Sequence, residues 1–315
     1  RVAAVDCGTN SIRLLIHDTD AGEVSRRNTI VRLGQGVDET GAFAPEALER
    51  TRAALADYVD EMQREGVTRV RMVATSATRE AKNQQEFFDM TAELLGQIES
   101  GAQAEVISGE EEALLSFNGA VADMEPDHGP FCVIDLGGGS TEFVVGTADE
   151  EILGSHSAYM GCVRLTERIM RTDPPTESEI EIASEYVAER MGEVEKIVPM
   201  SKARTIVGCA GTFTTLSALA QGLERYDPDA IHGSELHFDA LRVLLKQLVR
   251  IPSEERALNP VIHPGRADVI GGGAVAVEGI MQLIERTSDA RSFFISEKDI
   301  LDGIIAGLAS ESTPY

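Results

Sequence analysis

The sequence predicts an α/β protein of two duplicated domains, each a mixed β-sheet flanked by helices. Three observations support this prediction. A pair of strands with Asp at the end of the first strand occurs twice, and each pair is followed by a helix and a further strand. The chain has 315 residues, of which 43% are hydrophobic, and this is enough to bury two cores.

The two strand pairs lie far apart in the chain. In the first pair an apolar run ends at Asp6, and in the second an apolar run ends at Asp135, 129 positions later (135 minus 6). An offset of this size is typical of duplicated domains and too large for a solenoid repeat. The equivalent glycines and serines keep the same offset: Gly8 and Gly137, Ser11 and Ser140.

Helices and further strands follow each pair. Residues 45–65 and 176–198 carry apolar residues at helical spacing. Residues 70–74 and 205–209 are predicted as buried strands that lead into Ser/Thr-rich or Gly-rich turns, and Gly-rich residues 271–274 are predicted as another turn. This order of elements favours a mixed sheet in each half.

The polar Pro/Gly stretch at residues 124–130 predicts the join between the domains. The first domain is therefore expected at residues 1–125 and the second at residues 126–315. A last amphipathic helix is predicted at about residues 297–310, and its pattern leaves open which half it packs on. The cleft between the domains is the expected ligand site.

Composition narrows the functional classes. Charged residues make up 26% of the chain and the formal net charge is -25, which disfavours nucleic-acid binding. No apolar run approaches the roughly 20 residues that span a bilayer, so we expect a cytoplasmic protein that does not enter a membrane. Most carboxylates are expected on solvated helix faces. An anionic substrate would need a local cluster of cations, because the protein as a whole repels it.

The four cysteines do not indicate a metal site of the thiolate or imidazole type. Cys7, Cys132, Cys162 and Cys209 are widely separated and form no Cys or His spacing typical of zinc or iron–sulfur sites. We expect them to be small buried residues.

The duplicated turns have the composition that phosphate binding requires. Gly, Ser and Thr supply backbone N–H groups and hydroxyl donors, and a carboxylate at the end of the strand can hold a metal ion. An isolated turn of this kind is usually structural. The duplication, with an acid at the same place in each copy, argues for a ligand.

The two turns resemble the phosphate motifs of the actin-like ATPase superfamily, and most closely those of the exopolyphosphatase and guanosine pentaphosphate phosphohydrolase (Ppx/GppA) family. The first motif is DCGTNS at residues 6–11 and the second is DLGGGSTE at residues 135–142. The resemblance implies two actin-like, or ribonuclease H-like, domains. It covers almost the whole chain, because further family-like segments lie at residues 74–79, 107–113 and 263–268.

The resemblance also implies roles for single residues. Glu112 matches the glutamate that activates the attacking water, and Asp135 and Glu142 match metal-binding carboxylates. We expect Asp6 to join them as a metal ligand. The two preceding glutamates have the alternative of complementing the helix dipole. The expected phosphate contacts are the turn residues and three arginines: Gly8, Thr9, Asn10, Ser11, Gly137, Gly138, Gly139, Ser140, Thr141, Arg13, Arg79 and Arg266.

For two further basic residues the sequence does not decide between a role in phosphate binding and a surface ion pair. They are Lys82 and Arg164.

By resemblance, the leading function is an exopolyphosphatase that uses Mg²⁺ or Mn²⁺ to remove the terminal phosphate of inorganic polyphosphate. The close alternative is hydrolysis of guanosine pentaphosphate to the tetraphosphate. A small-molecule kinase using ATP and a non-catalytic nucleotide sensor are alternatives from other classes. Phosphate release without an acceptor would discriminate a hydrolase from both.

Two expectations concern size and assembly. Longer bacterial members of the family carry additional C-terminal domains, so for this shorter form we expect a preference for short polyphosphate. A homodimer is left open, since the sequence does not determine the oligomeric state.

Overall fold

The computed structural model describes residues 1–311 of the chain. The chain forms two compact units: unit 1 is Arg1–Gly119 together with the chain from Ile300 onward, and unit 2 is Ala120–Asp299. The stretch at 124–130, where the join was predicted, lies within unit 2 and contains a short 3₁₀ turn, Pro126–His128. Residues 312–315, which the predicted second domain includes, lie outside the described residues.

Unit 1 is built on one mixed sheet. Within the described residues its elements are β1 (Val2–Cys7), β2 (Ser11–Asp18), β3 (Gly22–Ile30), α1 (Val37–Thr40), α2 (Pro45–Arg64), β4 (Arg69–Ala74), α3 (Ser76–Glu80), α4 (Gln84–Leu95), β5 (Ala104–Val106), α5 (Gly109–Val121) and, from the end of the chain, the final helix (Ile300–Glu311). The strand order is β3-β2-β1-β4-β5. β1, β2 and β3 are antiparallel neighbours, whereas β4 and β5 extend the sheet in parallel with β1.

Two apolar layers cover the sheet of unit 1. One layer contains Leu55 of α2 and Phe87 of α4, both fully buried. The other contains Val2 and Ala4 of β1 with Ile304 of the final helix. The final helix therefore packs on unit 1, which resolves the alternative that its sequence left open.

Unit 2 repeats this arrangement with additions. Within the described residues its strands and helices are β6 (Phe131–Leu136), β7 (Thr141–Gly146), β8 (Ile152–Ala158), α6 (Cys162–Arg168), α7 (Glu177–Ile197), β9 (Thr205–Cys209), α8 (Gly211–Ala220), α9 (Pro228–Ile231), β10 (Glu235–His237), α10 (Phe238–Arg250), α11 (Ser253–Ala257), α12 (Ile270–Thr287) and β11 (Ser292–Ser296). The final helix of unit 1 is α13. The strand order is β10-β11-β9-β6-β7-β8, and read from β8 it matches the order in unit 1 with one extra edge strand, β10.

The predicted α/β class, with a mixed sheet and flanking helices in each half, is confirmed. The predicted helix at 176–198 is α7, which begins with a capping box: Glu179 N–H donates to the Thr176 hydroxyl, and Thr176 N–H donates to the Glu179 carboxylate. The predicted last helix begins at Ile300, later than expected, because residues 297–299 lie in a turn. There the Ser296 hydroxyl donates to Lys298 O and accepts from Lys298 N–H.

The prediction of a turn at residues 271–274 is wrong. These residues form the first turn of α12. The glycines serve close packing there, since a Cβ at Gly272 would lie 2.6 Å from Cys162 O and one at Gly273 would lie 2.7 Å from Thr212 Cγ2.

Among residues 1–311, the helices that are long enough to cross a membrane are not apolar enough to do so.

Candidate functional site

Turn 1, residues 8–10, connects β1 to β2. It is tight, since Gly8 N–H donates to Ser11 O at 2.9 Å. The turn lies beside the start of α3, because a Cβ placed at Gly8 would have the Thr75 hydroxyl among its nearest atoms, at 3.9 Å. Nothing approaches that Cβ more closely than Ser11 O at 3.7 Å, so the fold alone does not require glycine at this position.

A segment after β3, which we call strap 1 (residues 31–34), crosses turn 1. Arg32 N–H donates to Asn10 O at 2.9 Å and Gly34 N–H donates to Thr9 O at 2.8 Å. A Cβ at Gly34 would lie 2.3 Å from Thr9 Cγ2, so glycine permits this close approach. The strap thereby engages the turn's acceptor oxygens, which would otherwise repel an anion.

Several polar side-chain atoms at turn 1 and α3 are buried without a hydrogen-bond partner among residues 1–311. They are Thr9 Oγ1, both amide atoms of Asn10, and Thr78 Oγ1. Each unsatisfied buried group costs about 1–3 kcal/mol. A polar ligand at turn 1 would offset that cost, so these atoms support a binding site here.

Asp6 and Arg13 form an ion pair in unit 1. They are direct register partners on β1 and β2, and the Arg13 guanidinium donates to Asp6 Oδ2 from Nη2 at 2.8 Å and from Nε at 3.2 Å. The predicted metal ligand and the predicted phosphate contact therefore bond one another.

Glu112 is the buried member of the glutamate cluster. It is 8% exposed, whereas Glu110 and Glu111 are exposed, and Glu111 pairs with Arg71 at 2.7 Å. Arg79 Nη1 donates to Glu112 Oε2 and to Ile107 O, each at 2.9 Å. Burial and this bond single out Glu112 within the cluster, which the residue pattern alone did not do.

Turn 2, residues 137–140, connects β6 to β7 in unit 2. Gly137 N–H donates to Ser140 O at 3.0 Å, the counterpart of the bond in turn 1. Strap 2, residues 161–164, follows β8 and holds turn 2: Cys162 N–H donates to Gly137 O at 3.1 Å, and the next two N–H groups both donate to Gly138 O, at 2.9 and 3.0 Å.

Arg164 is a structural part of strap 2, not a surface ion pair. It is 4% exposed, its Nε donates to Gly139 O at 2.8 Å, and its Cζ lies 3.4 Å from the centre of the Tyr159 ring. A guanidinium stacked on an aromatic ring is held in a fixed plane. Arg164 therefore fixes the third carbonyl of turn 2. Lys82, the other open basic residue, is exposed.

Asp135 and Glu142 face each other across β6 and β7. They are register partners, 7% and 1% exposed, and the Ser157 hydroxyl donates to Glu142 Oε1 at 2.6 Å. At the equivalent place unit 1 has Asp6 and Arg13, since 142 minus 13 is again 129. The duplicated positions thus carry an ion pair in one unit and two carboxylates in the other.

Across the part of the chain that the structure describes, no group of three or more His, Cys, Asp or Glu side chains is placed to hold a metal ion. A cation held by two carboxylates and a bound phosphate has no such requirement.

Thr141, one of the expected phosphate contacts, uses its hydroxyl in a bond within the protein. It is fully buried, and its hydroxyl donates to Met160 O at 2.9 Å. The hydroxyl fixes β7 to the segment before strap 2, so we leave it out of the proposed contacts. Ser140, at the end of turn 2, is 6% exposed.

Arg266 lies in the loop before α12, and its guanidinium lies against the first residue of α8, Gly211. Desolvation, with the Arg266 charge as a second cause, lowers the pKa of His263 from its usual value. That imidazole is therefore neutral at pH 7 and adds no charge to the Arg266 loop.

The four cysteines are buried, as predicted, and they form no disulfide among the described residues. Burial, with the neighbouring Asp6 charge as a second cause, raises the pKa of the Cys7 thiol. Burial likewise raises the pKa of Cys132 and of Cys162. These three thiols stay protonated at neutral pH and are not nucleophiles.

Sequence reasoning missed the two straps. Their only local signal is a glycine soon after the third strand of each sheet, Gly34 after β3 and Gly161 after β8. Both glycines contact the equivalent turn position, Thr9 in unit 1 and Gly138 in unit 2. The two glycines lie 127 positions apart (161 minus 34) and not 129, so the offset of the motifs does not reveal this correspondence.

The chain is similar to known proteins over almost its whole length. The model of the Ppx/GppA phosphatase family matches residues 15–308. A protein of Mycobacterium tuberculosis named exopolyphosphatase 2 is 51% identical over 316 residues, which is 98% of each chain.

Solved structures include similar chains. The crystal structure of an exopolyphosphatase-like protein has a TM-score of 0.93 and 40% identity, covering 99% of both chains. A Ppx/GppA family member from Aquifex aeolicus has a TM-score of 0.78 and 31% identity, again covering 99% of both chains.

Proposed function

Because the chain belongs to the Ppx/GppA phosphatase family, we propose that it is an exopolyphosphatase, which hydrolyses the terminal phosphoanhydride bond of inorganic polyphosphate. The observation that carries the proposal is the duplicated turn, strapped through its carbonyl oxygens in each unit. The name of the Mycobacterium tuberculosis relative supports polyphosphate as the substrate.

Unit 2 supplies the place for a divalent cation, Mg²⁺ or Mn²⁺. Like charges directly opposite each other on neighbouring strands are destabilising, and Asp135 and Glu142 are such a pair. Mg²⁺ prefers oxygen ligands and is commonly held by one or two carboxylates with water and substrate phosphates. These two residues therefore fit the ion, which would neutralise phosphate charge when bound.

Asp6 has a different role in this proposal from the one its sequence position predicted. Its carboxylate already bonds Arg13 through two nitrogens. We assign Asp6 to orienting Arg13, which then presents a fixed cation beside turn 1.

The proposed phosphate contacts come from both turns and three arginines. Fixed cations are needed in a protein of net charge -25, because its overall field repels a polyanion. The contacts are Gly8, Thr9, Asn10, Ser11, Gly137, Gly138, Gly139, Ser140, Arg13, Arg79 and Arg266.

Glu112 is the proposed general base. It accepts a proton from water as the water oxygen attacks the terminal phosphorus, and the bridging P–O bond breaks so that the shortened chain leaves with the electron pair. Arg79 bonds Glu112 in the structure. A terminal phosphate would compete for Arg79, and a phosphate bound to the Arg79 guanidinium would lie beside Glu112.

The test is a phosphate-release assay on short polyphosphate, long polyphosphate, guanosine pentaphosphate and ATP, with Mg²⁺ and with excess chelator. Glu112→Gln keeps the shape of the side chain but removes the proton acceptor, so kcat should fall about 10²- to 10⁴-fold. KM should change little.

Glu111→Gln is the matched control, since Glu111 is exposed and pairs with Arg71. It should keep near wild-type kcat. Full activity in chelator would contradict the metal assignment, and loss of activity in Glu111→Gln but not in Glu112→Gln would contradict the choice of base. Release from guanosine pentaphosphate alone would contradict polyphosphate as the substrate.

A further inference from the structure

The backbone conformation at residue 211 does not require glycine. Its φ lies outside the left-handed region, so any residue could adopt it. The preceding residue, Ala210, has φ 75° and ψ 175°, a conformation that glycine adopts far more readily than alanine. If the turn before α8 required a glycine for flexibility, it would be at position 210.

The space at Gly211 is taken by Arg266. A Cβ at Gly211 would lie 1.8 Å from Arg266 Nη1, 2.2 Å from Cζ and 2.4 Å from Nη2. The whole guanidinium therefore lies on the backbone at the start of α8, and it would have to move if residue 211 carried a side chain.

The loop that carries Arg266 is itself fixed. Arg266 N–H donates to His263 O at 2.8 Å, and Arg266 O accepts from Ile270 N–H at 3.0 Å at the start of α12. The buried Arg256 donates from Nη1 to the next carbonyl, Ala267 O, at 3.0 Å. With the loop backbone held in this way, an added methyl group at Gly211 would be accommodated by moving the guanidinium, which is the flexible end of the Arg266 side chain.

A phosphate at this place would be attracted both by the guanidinium and by the N–H groups at the start of α8, where the partial positive charge of the helix favours an anion.

We propose that Gly211 is a positioning residue for substrate binding: its missing side chain seats the Arg266 guanidinium on the start of α8, where it binds a phosphate of the substrate. The proposal rests on the exopolyphosphatase function and extends it to a residue that makes no contact with substrate through a side chain.

The experiment compares Gly211→Ala with two matched controls. Ala210→Gly adds a glycine to the same turn and removes an unfavourable φ. Gly192→Ala adds the same methyl group to α7 of the same unit, where nothing lies within 4 Å. We expect Gly211→Ala to raise KM for polyphosphate about 10- to 100-fold, the loss of one charge-assisted hydrogen bond, with a smaller change in kcat. Both controls should keep the wild-type KM.

A second pair of variants separates positioning from folding. Arg266→Ala removes the side chain that the new methyl group would meet, so the double variant Gly211→Ala/Arg266→Ala should regain the Tm of Arg266→Ala alone. Its KM should be no higher than that of Arg266→Ala, because the two changes remove the same interaction.

An unchanged KM in Gly211→Ala, or additive effects of the two substitutions on KM, would overturn the proposal. If the wild-type protein releases no phosphate from polyphosphate, the exopolyphosphatase proposal fails. The Tm comparison still decides whether Gly211 seats Arg266: recovery in the double variant supports the seat, and a further decrease refutes it.

Discussion

Replacing Gly161 with alanine tests whether strap 2 must touch turn 2. Gly161 has an extended backbone, with φ -171° and ψ 169°, which alanine adopts without strain. The only obstacle is space. The new Cβ would lie 2.3 Å from both C and O of Gly138 and 2.6 Å from Gly139 N.

The size of the effect follows from these distances. Ordinary carbon contacts are about 3.5–4.0 Å, so strap and turn must separate by roughly 1 Å or more. Three backbone bonds to Gly137 O and Gly138 O, now 2.9–3.1 Å, would then break. At about 0.5–1.5 kcal/mol each, their loss amounts to about 2–4 kcal/mol. For a unit of this size, that lowers Tm by about 5–15 °C.

Activity should fall as well, because turn 2 lies between the strands that carry Asp135 and Glu142. A displacement of about 1 Å in a substrate-binding group can cost roughly 100-fold in rate. We expect a loss of this order in kcat/KM for Gly161→Ala, measured well below its Tm.

Gly154→Ala is the control for instability alone. Gly154 lies on β8 of the same sheet, and its Cβ would lie 2.6 Å from Pro199 Cδ. This variant should lose stability and keep kcat/KM. The reasoning would be refuted if Gly161→Ala kept Tm within about 1 °C and kcat/KM within about twofold of the wild type, changes too small for the loss of even one of these bonds.

Two further predictions concern strap 1 and α7. Gly34→Ala should lower Tm, because its new Cβ would lie 2.3 Å from Thr9 Cγ2. Adding Thr9→Ser to Gly34→Ala removes that methyl group and should restore most of the lost Tm. If the double variant recovers no Tm, this contact is not the cause of the loss. Glu179 accepts hydrogen bonds from three backbone N–H groups, foremost that of Thr176, and these lower its pKa to about 2. Its stabilisation is therefore complete above the ordinary value of 4.5 and lost as pH falls toward 2, so the Tm difference between wild type and Glu179→Gln should be present at pH 6 and shrink at pH 3.

The duplicated sheets were predictable because the repeat consists of short local sequence patterns. An apolar run, an acid and a small-residue turn recur at one offset, and each element needs only its own few residues to be recognised. The structure confirms a mixed sheet in each half, with α2 and α7 at the places expected.

The partners of the predicted residues were not predictable in the same way. The bond between Asp6 and Arg13 depends on the register of β1 and β2, and a shift of one residue would separate the two side chains. The seat of Arg266 at Gly211 joins residues more than 50 positions apart. The helical glycines at 271–273 were mistaken for a turn because glycine ordinarily breaks helices, whereas here close packing against Thr212 and Cys162 outweighs that preference.

The final helix has a consequence for how the protein is made. Val2 and Ala4, near the start of the chain, are covered by Ile304 and its neighbours on α13. A ribosome therefore has to synthesise all of unit 2, Ala120–Asp299, before the residues that complete unit 1 emerge. Unit 2 is continuous in sequence and can close first, so the usual order of N-terminal before C-terminal folding is inverted. During that interval one apolar face of the first sheet stays open, and nascent chains stalled before Ile300 are the species on which chaperones would act.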